Sequence, residues 1–265
     1  MAAREKEDLL HTSRIGAGLV GVMALGSLVA CQPTTVDEGD IRQEVSSLAD
    51  ATWYTSDTRV GGGVVLTAAT DPGASGIAGP EGFGNGSLAL TTNGQNSAKA
   101  QLFTNQFGGT SLADVSRISY QTFQHPTHLL EGGFEDGAPA INLTVDTNGT
   151  DVAGGFTTLV YEPYNSGNDV QNNVWQEWVA TGAGQNWASS RVINLDCTTS
   201  SGGNPAGPPF EAPSAIATRC PGAVVLSLGV NVGSYNPNYV TAVDAIEFGV
   251  GEKVTTFDFG PKSPA

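Results

Sequence analysis

INLTVDTNGTDVAGGFTTLVYEP, residues 141–163, holds two alternating runs with turn residues between them. In the first, Ile141, Leu143 and Val145 alternate with Asn142, Thr144 and Asp146. In the second, Leu159 and Tyr161 stand two apart. A period of two puts one set of side chains in a core and the other in water, as in an antiparallel strand covered on one side. Asn148-Gly149 follows the first run and suits a hairpin turn, because both residues accept positive φ. The same pattern recurs in ATWYTSD (51–57), GVVLTAA (63–69), SLALTT (87–92), KAQLFT (99–104) and RISYQTF (117–123). It continues in VWQEWVAT (174–181), ASSRVINL (188–195), AVVLSLGV (223–230), TAVDAIEFG (241–249) and TTFDFG (255–260). One helix is expected over 210–219, just before Cys220. Many short strands with turn signals between them predict an all-β fold, an antiparallel β-sandwich of jelly-roll type with one short helix.

Composition agrees. The chain is 39% apolar, too much for a disordered polymer, and its 35 glycines supply the turns that short strands need. It carries 26 acidic and 11 basic side chains, a net charge of −15. Such a surface repels phosphate backbones and has no polybasic patch, so nucleic-acid binding is excluded as a function class.

The N-terminal region reads differently. Residues 15–30, IGAGLVGVMALGSLVA, contain no charge and no proline. The run falls short of the about 20 apolar residues that span a bilayer and suits the core of a secretory signal. Before it, Arg4, Lys6 and Arg14 are offset by Glu5, Glu7 and Asp8. The run ends in Leu28-Val29-Ala30-Cys31, which resembles the lipobox of bacterial lipoprotein precursors. That resemblance implies cleavage before Cys31, lipid on its thiol and a lipid anchor in the bacterial envelope or at the cell surface. Two or more acyl chains hold stably where one does not. The alternative is an ordinary cleaved signal in which Cys31 is incidental. The expected organisation is a signal peptide over 1–30, a lipidated cysteine and flexible tether over 31–50, and a sandwich over 51–260. Asp40 to Leu48 could form a short helix within that tether. Loss of residues 1–30 removes three acids and three bases and leaves the net charge unchanged.

With Cys31 assigned to lipid, Cys197 and Cys220 remain. Export permits disulfides, so these two are expected to pair; the alternative is two buried thiols. Closing a loop of that size stabilises by about 3 kcal/mol in the chain-entropy model.

A second resemblance lies at the far end. GVNVGSYNPNYVTAVDAIEFG (229–249) followed by TTFDFG is similar to the closing strands of secreted bacterial jelly-roll modules, some of which bind carbohydrate. The resemblance implies a binding module more than an enzyme, and fold alone does not fix function. Sugar rings present apolar C–H faces to aromatic side chains and hydroxyls to amides. YEPYNSGNDVQNNVWQEW and GSYNPNY mix these residue types. Trp175 and Trp178 are three apart and so face opposite sides of one strand. Trp178 and Tyr235 are expected as exposed rings, with Asn236 and Tyr239 beside them, and Trp175 and Trp187 in the core.

Other chemistry is thinner. Asp146, Asn148 and Asp151 resemble an acidic calcium turn without the closing glutamate of an EF-hand; the alternative is a plain Asn-Gly hairpin. His125-Pro126-Thr127-His128 lacks a third ligand at metal spacing and reads as a polar loop. No G-x-S-x-G elbow is present. Glu162 and Glu177 are the carboxylates that would serve a glycosidase if the fold brought them together. The expected function is therefore a non-catalytic surface lipoprotein whose sandwich binds carbohydrate. Its rivals are a structural or protein-binding envelope lipoprotein and a glycan-active hydrolase with paired carboxylates.

Overall fold

Two β-sheets lie face to face around one apolar core. A computed structural model describes residues 40–46, 48, 52–68, 76–125, 137–182 and 184–260. Cys31 and residues 1–39 lie outside the described residues, as does His128. Val36–Ala265 forms one compact unit.

The first sheet has seven strands: β1 (Asp40–Val45), β3 (Gly62–Ala68), β4 (Gly86–Thr92), β6 (Val115–Gln124), β9 (Trp175–Val179), β14 (Val240–Val250) and β15 (Lys253–Phe259). β14 is its axis. β6 and then β9 extend from one side, and β4–β3 and β15–β1 share the other. The second sheet has six: β2 (Trp53–Tyr54), β5 (Ala100–Thr104), β7 (Ala140–Asp146), β8 (Phe156–Tyr161), β10 (Trp187–Ser189) and β13 (Val224–Val232), in the order β10-β8-β7-β13-β5-β2. A small ribbon, β11 (Val192–Ile193) with β12 (Thr199–Ser200), and the helix α1 (Pro213–Arg219) complete it. This is an all-β sandwich of jelly-roll type, as the alternation implies.

The core follows from that alternation. Ile141, Leu143 and Val145 of β7 are fully buried, as are Leu159 of β8 and Leu228 and Val230 of β13. From the other sheet come Leu88, Leu90, Ile118, Tyr120, Phe248, Phe257 and Phe259. Rings bridge the layers: Trp53 meets Phe257 and Phe259 edge-on at 4.9 and 5.1 Å, and Tyr120 meets Tyr161 at 6.4 Å. Such contacts add about 0.5–1.5 kcal/mol each beyond burial.

Cys197 and Cys220 form a disulfide with Cα atoms 5.7 Å apart, within bridging range. It ties the end of α1 to the turn after β11. Arg219 reinforces the same corner by donating to the Glu211 carboxylate and, at 3.0 Å, to Asn194 O.

One boundary differs from expectation. Asp40–Val45, read as tether with helical potential, is a strand that pairs in parallel with β15, from Asp40↔Val254 to Val45↔Phe259. Every other ladder is antiparallel among the named strands. The reason is period two: Ile41, Gln43 and Val45 turn inward while Asp40, Arg42 and Glu44 are exposed. Arg42 also pairs with Asp258 and lies over the Phe83 ring, 4.6 Å from its centroid.

β14 carries a bulge. Asp244 opposes Gln121 and Glu247 opposes Ser119, so β14 spends one extra residue, and Ala245 takes φ +50°. The displaced backbone is held by the neighbouring carboxylate. Asp244 Oδ1 accepts the N–H of Ala245 at 2.7 Å and of Phe259 at 2.8 Å. Oδ2 is buried without a partner. Burial pushes this carboxyl up to about 8, against the two N–H donors; Asp258 adds to the rise and Arg42 opposes it.

Candidate ligand-binding faces

The outer face of the six-stranded sheet is built from the positions between core residues. One row crosses five strands: Tyr54 of β2, Phe103 of β5, Gly229 of β13, Asn142 of β7 and Val160 of β8 are successive partners. Tyr54 and Phe103 stack, with centroids 6.0 Å apart and planes at 26°. The Phe103 ring lies over Gly229, where a Cβ would come within 2.2 Å of it. Glycine is thus required for close approach and not for turning. The next row holds Gln101, Asn231 and Ala140. Asn142 and Gln101 are only 3% exposed, and Asn142 Oδ1 and Gln101 Oε1 have no partner. These two rows carry no charge, in a chain of net charge −15.

Several expected site residues lie elsewhere. Trp178 is 5% exposed: it opposes Tyr120 across β9 and β6, and its indole N–H donates to Thr122 Oγ1 at 2.7 Å. Trp175, expected inside, is on the outer face opposite Phe123. The two tryptophans do face opposite ways, but the register with β6 assigns the faces in reverse. Trp187 is in the core as expected, its N–H donating to Ala180 O at 2.8 Å.

Tyr239, expected at the surface, is 1% exposed. Its N–H donates to Thr92 Oγ1 and its hydroxyl accepts from Gln124 Nε2 in a buried polar cluster. Asn236 is half-buried and turns inward, its amide donating to Gly233 O and Ser234 O. Tyr235 matches expectation at 80% exposure, on the loop after β13, with φ +69° and its N–H donating to Asn96 O at 2.8 Å. Positive φ in a bulky residue costs on the order of 1–3 kcal/mol, and such positions concentrate at functional sites.

Asp146 and Asn148 point toward one spot: a Cβ on Gly155 would stand 2.1 Å from the Oδ1 of each. Asp146 Oδ1 accepts the Asn148 N–H at 3.3 Å, and Asn148 Nδ2 donates to Ala153 O at 3.2 Å. Asp151 is exposed on the same turn. The turn is closed by its own hydrogen bonds. Among the described residues, no group of three or more His, Cys, Asp or Glu side chains is arranged to hold a metal.

Glu162 and Glu177 belong to different sheets. Glu162 follows β8 and accepts from Asn165 Nδ2 at 2.9 Å and the Tyr164 hydroxyl at 3.1 Å; burial raises its carboxyl. Glu177 is on the outer face of the seven-stranded sheet and pairs with Arg117 at 3.4 Å.

Tyr54, Phe103, Gln101 and Asn142 were not singled out in the sequence. The signal was there in part. Trp53-Tyr54 places one ring on each side of a strand, and Gln101 and Phe103 flank inward Leu102. Only the strand order brings them into adjacent rows.

No protein-family model matches the sequence, and no curated protein matches it. Among solved structures, the family 11 carbohydrate-binding module from Clostridium thermocellum, in complex with a β-1,3-1,4-mixed-linked tetrasaccharide, gives a TM-score of 0.38 at 11% identity over 76% of this chain and 89% of that one. An arabinose-bound MgGH51 α-L-arabinofuranosidase gives 0.36 at 9% identity, over 75% of this chain and 23% of that one. A carbohydrate esterase from the Shiga toxin-encoding bacteriophage phi24B gives 0.36 at 16% identity, over 77% and 93%. At these scores the likeness carries no functional argument, and the reading below rests on side chains.

Proposed function

We propose that this chain is a non-catalytic, lipid-anchored protein of the bacterial envelope whose six-stranded sheet binds a neutral glycan on its outer face. One observation carries the binding role: a stacked Tyr54–Phe103 pair lies on an uncharged sheet face with the half-buried Asn231 amide in the next row. A ring face supplies apolar contact to sugar C–H groups, and the Asn231 amide supplies donors and an acceptor to hydroxyls. Absence of charge in these rows disfavours ionised ligands, which need a partner when desolvated. Tyr235, on the loop beyond Asn231, would add an exposed ring at the end of the same sheet.

A glycan array followed by calorimetry on the soluble 32–265 fragment tests this reading. Tyr54→Ala is expected to weaken the best neutral glycan at least tenfold, about 1.4 kcal/mol, with melting unchanged. Full affinity in that variant would remove the named site. Capture of proteins and no glycan would favour the structural rival.

The anchor is supported by the lipobox-like LVAC at 28–31. Cys31→Ser is expected to move the protein from the membrane fraction to the soluble fraction and abolish lipid labelling. Unchanged fractionation would overturn the anchor.

A further inference from the structure

The opposite sheet holds a cleft of its own. On the outer face of the seven-stranded sheet, one row runs Trp175, Phe123, Ala242, Ala89 and Val65 across β9, β6, β14, β4 and β3. The two central residues, Ala242 and Ala89, are small and buried, so the chain lies close over the middle of the row. The segment Gly76–Pro80 crosses this side of the sheet: Ile77 O accepts from Ser87 Oγ at 2.8 Å, and Ala78 O accepts the Trp175 indole N–H at 3.1 Å. Between this segment and the two rings lies a cleft of 400 Å³, lined by Gly76, Ile77, Ala78, Gly79, Phe123, His125, Asn173 and Trp175. That volume falls in the range of small-ligand sites.

We infer that this cleft is a second ligand site, for a neutral mono- or disaccharide unit. Its lining has two aromatic rings, 5.8 Å apart and tilted by 55°, and holds no Asp, Glu, Lys or Arg among the described residues. The described carboxylates and basic side chains do not line it, so an ionised ligand would be desolvated there without a charged partner among them. Neutral rings with an apolar face gain contact with Trp175 and Phe123. Hydroxyls meet the exposed Asn173 amide and the peptide groups of the glycine-bearing wall. Because the Trp175 indole N–H ties down Ala78, the ring is both platform and brace. The cleft stands apart from the Tyr54–Phe103 face, and its existence does not depend on that reading.

Tryptophan fluorescence isolates it. Of the four tryptophans, Trp53, Trp178 and Trp187 are buried, so Trp175 is the reporter open to ligand. Titration of the 32–265 fragment with cellobiose, maltose, lactose and xylobiose is expected to give a saturable change for at least one of them. Glucuronic acid and glucosamine are expected to give none. The signal should persist in Tyr54→Ala and vanish in Trp175→Phe. By calorimetry, Trp175→Ala should weaken the same disaccharide at least tenfold, while Trp175→Phe, which keeps a ring, should retain part of the affinity. A flat titration with every sugar would overturn the site. So would full affinity in Trp175→Ala, or equal binding of the charged sugars. Loss of binding in Tyr54→Ala alone would overturn the cleft and leave the six-stranded face standing. Glycan affinity by calorimetry that is unchanged in Tyr54→Ala and lost in Trp175→Ala would overturn the six-stranded face and leave the cleft standing.

Discussion

Trp178→Ala lowers the unfolding free energy by about 3–5 kcal/mol, the usual result of truncating a large buried ring. The ring is 5% exposed and stands opposite Tyr120 in the layer where the sheets meet. Two losses add. A cavity opens between the sheets, and the Thr122 hydroxyl loses the indole N–H that it accepts at 2.7 Å. Urea unfolding at neutral pH measures the change. Tyr54→Ala in the same assay should stay within about 0.5 kcal/mol, as expected for a surface ring. A loss under about 1 kcal/mol in Trp178→Ala would mean that the ring is not a packing element.

Stability falls as pH rises from about 4 to about 8 through Asp244, and Asp244→Asn removes that part of the fall. The carboxyl is raised from 3.8 to about 8, chiefly by burial. Across this window the folded chain holds a proton that the unfolded chain has released. The unfolded state then binds fewer protons, and the unfolding free energy decreases with pH. Below about 4 both states are protonated and the contribution is fully present. Above about 8 both are ionised and the loss is complete, on the order of several kcal/mol at most. Asparagine keeps an oxygen for the N–H groups of Ala245 and Phe259 and does not titrate. Its NH₂ would occupy the place of Oδ2 near Gly79, beside the carbonyls of Phe83 and Gly86. Melting curves of both proteins from pH 4 to 9 give a difference that isolates this residue from other titrations. The variant should match wild type near pH 4 and exceed it near pH 8. A difference that stays constant across the window would show that Asp244 is ionised throughout.

The strands were legible because alternation is a local property, and each predicted run carries a strand. ASSRVINL is divided between β10 and β11, with Ser190 and Arg191 between them. The disulfide was legible because reading LVAC as a lipobox sets Cys31 aside and leaves two cysteines in a chain expected to be exported. Faces were not. Trp175 and Trp178 must point opposite ways, yet which one is inside depends on β9 pairing with β6, some fifty residues earlier in the chain. Tyr239 looked like a loop residue because Asn236-Pro237-Asn238 precedes it, but the chain re-enters the sheet at Val240. The strand Asp40–Val45 does alternate, and was obscured by three charges in six residues. The candidate faces were the least legible part, since Tyr54, Phe103 and Asn142 are brought into one row only by three cross-strand pairings.

The parallel seating of β1 beside β15 also sets how the domain carries a mechanical load. A tug applied from the N-terminal side of Asp40 runs along the strand, so the rungs between Asp40↔Val254 and Val45↔Phe259 are strained together and not peeled one by one. The Arg42–Asp258 pair sits midway as a cross-brace. Tension then passes through β15 into β14 and on to β6 and β9. Asp40 lies level with the β14–β15 hairpin, whereas Trp175 and Phe123 lie against Ala242 toward the other end of β14. A domain held at one end and gripping a ligand at the other would bear the pull along its strands, the direction in which a sheet is stiffest.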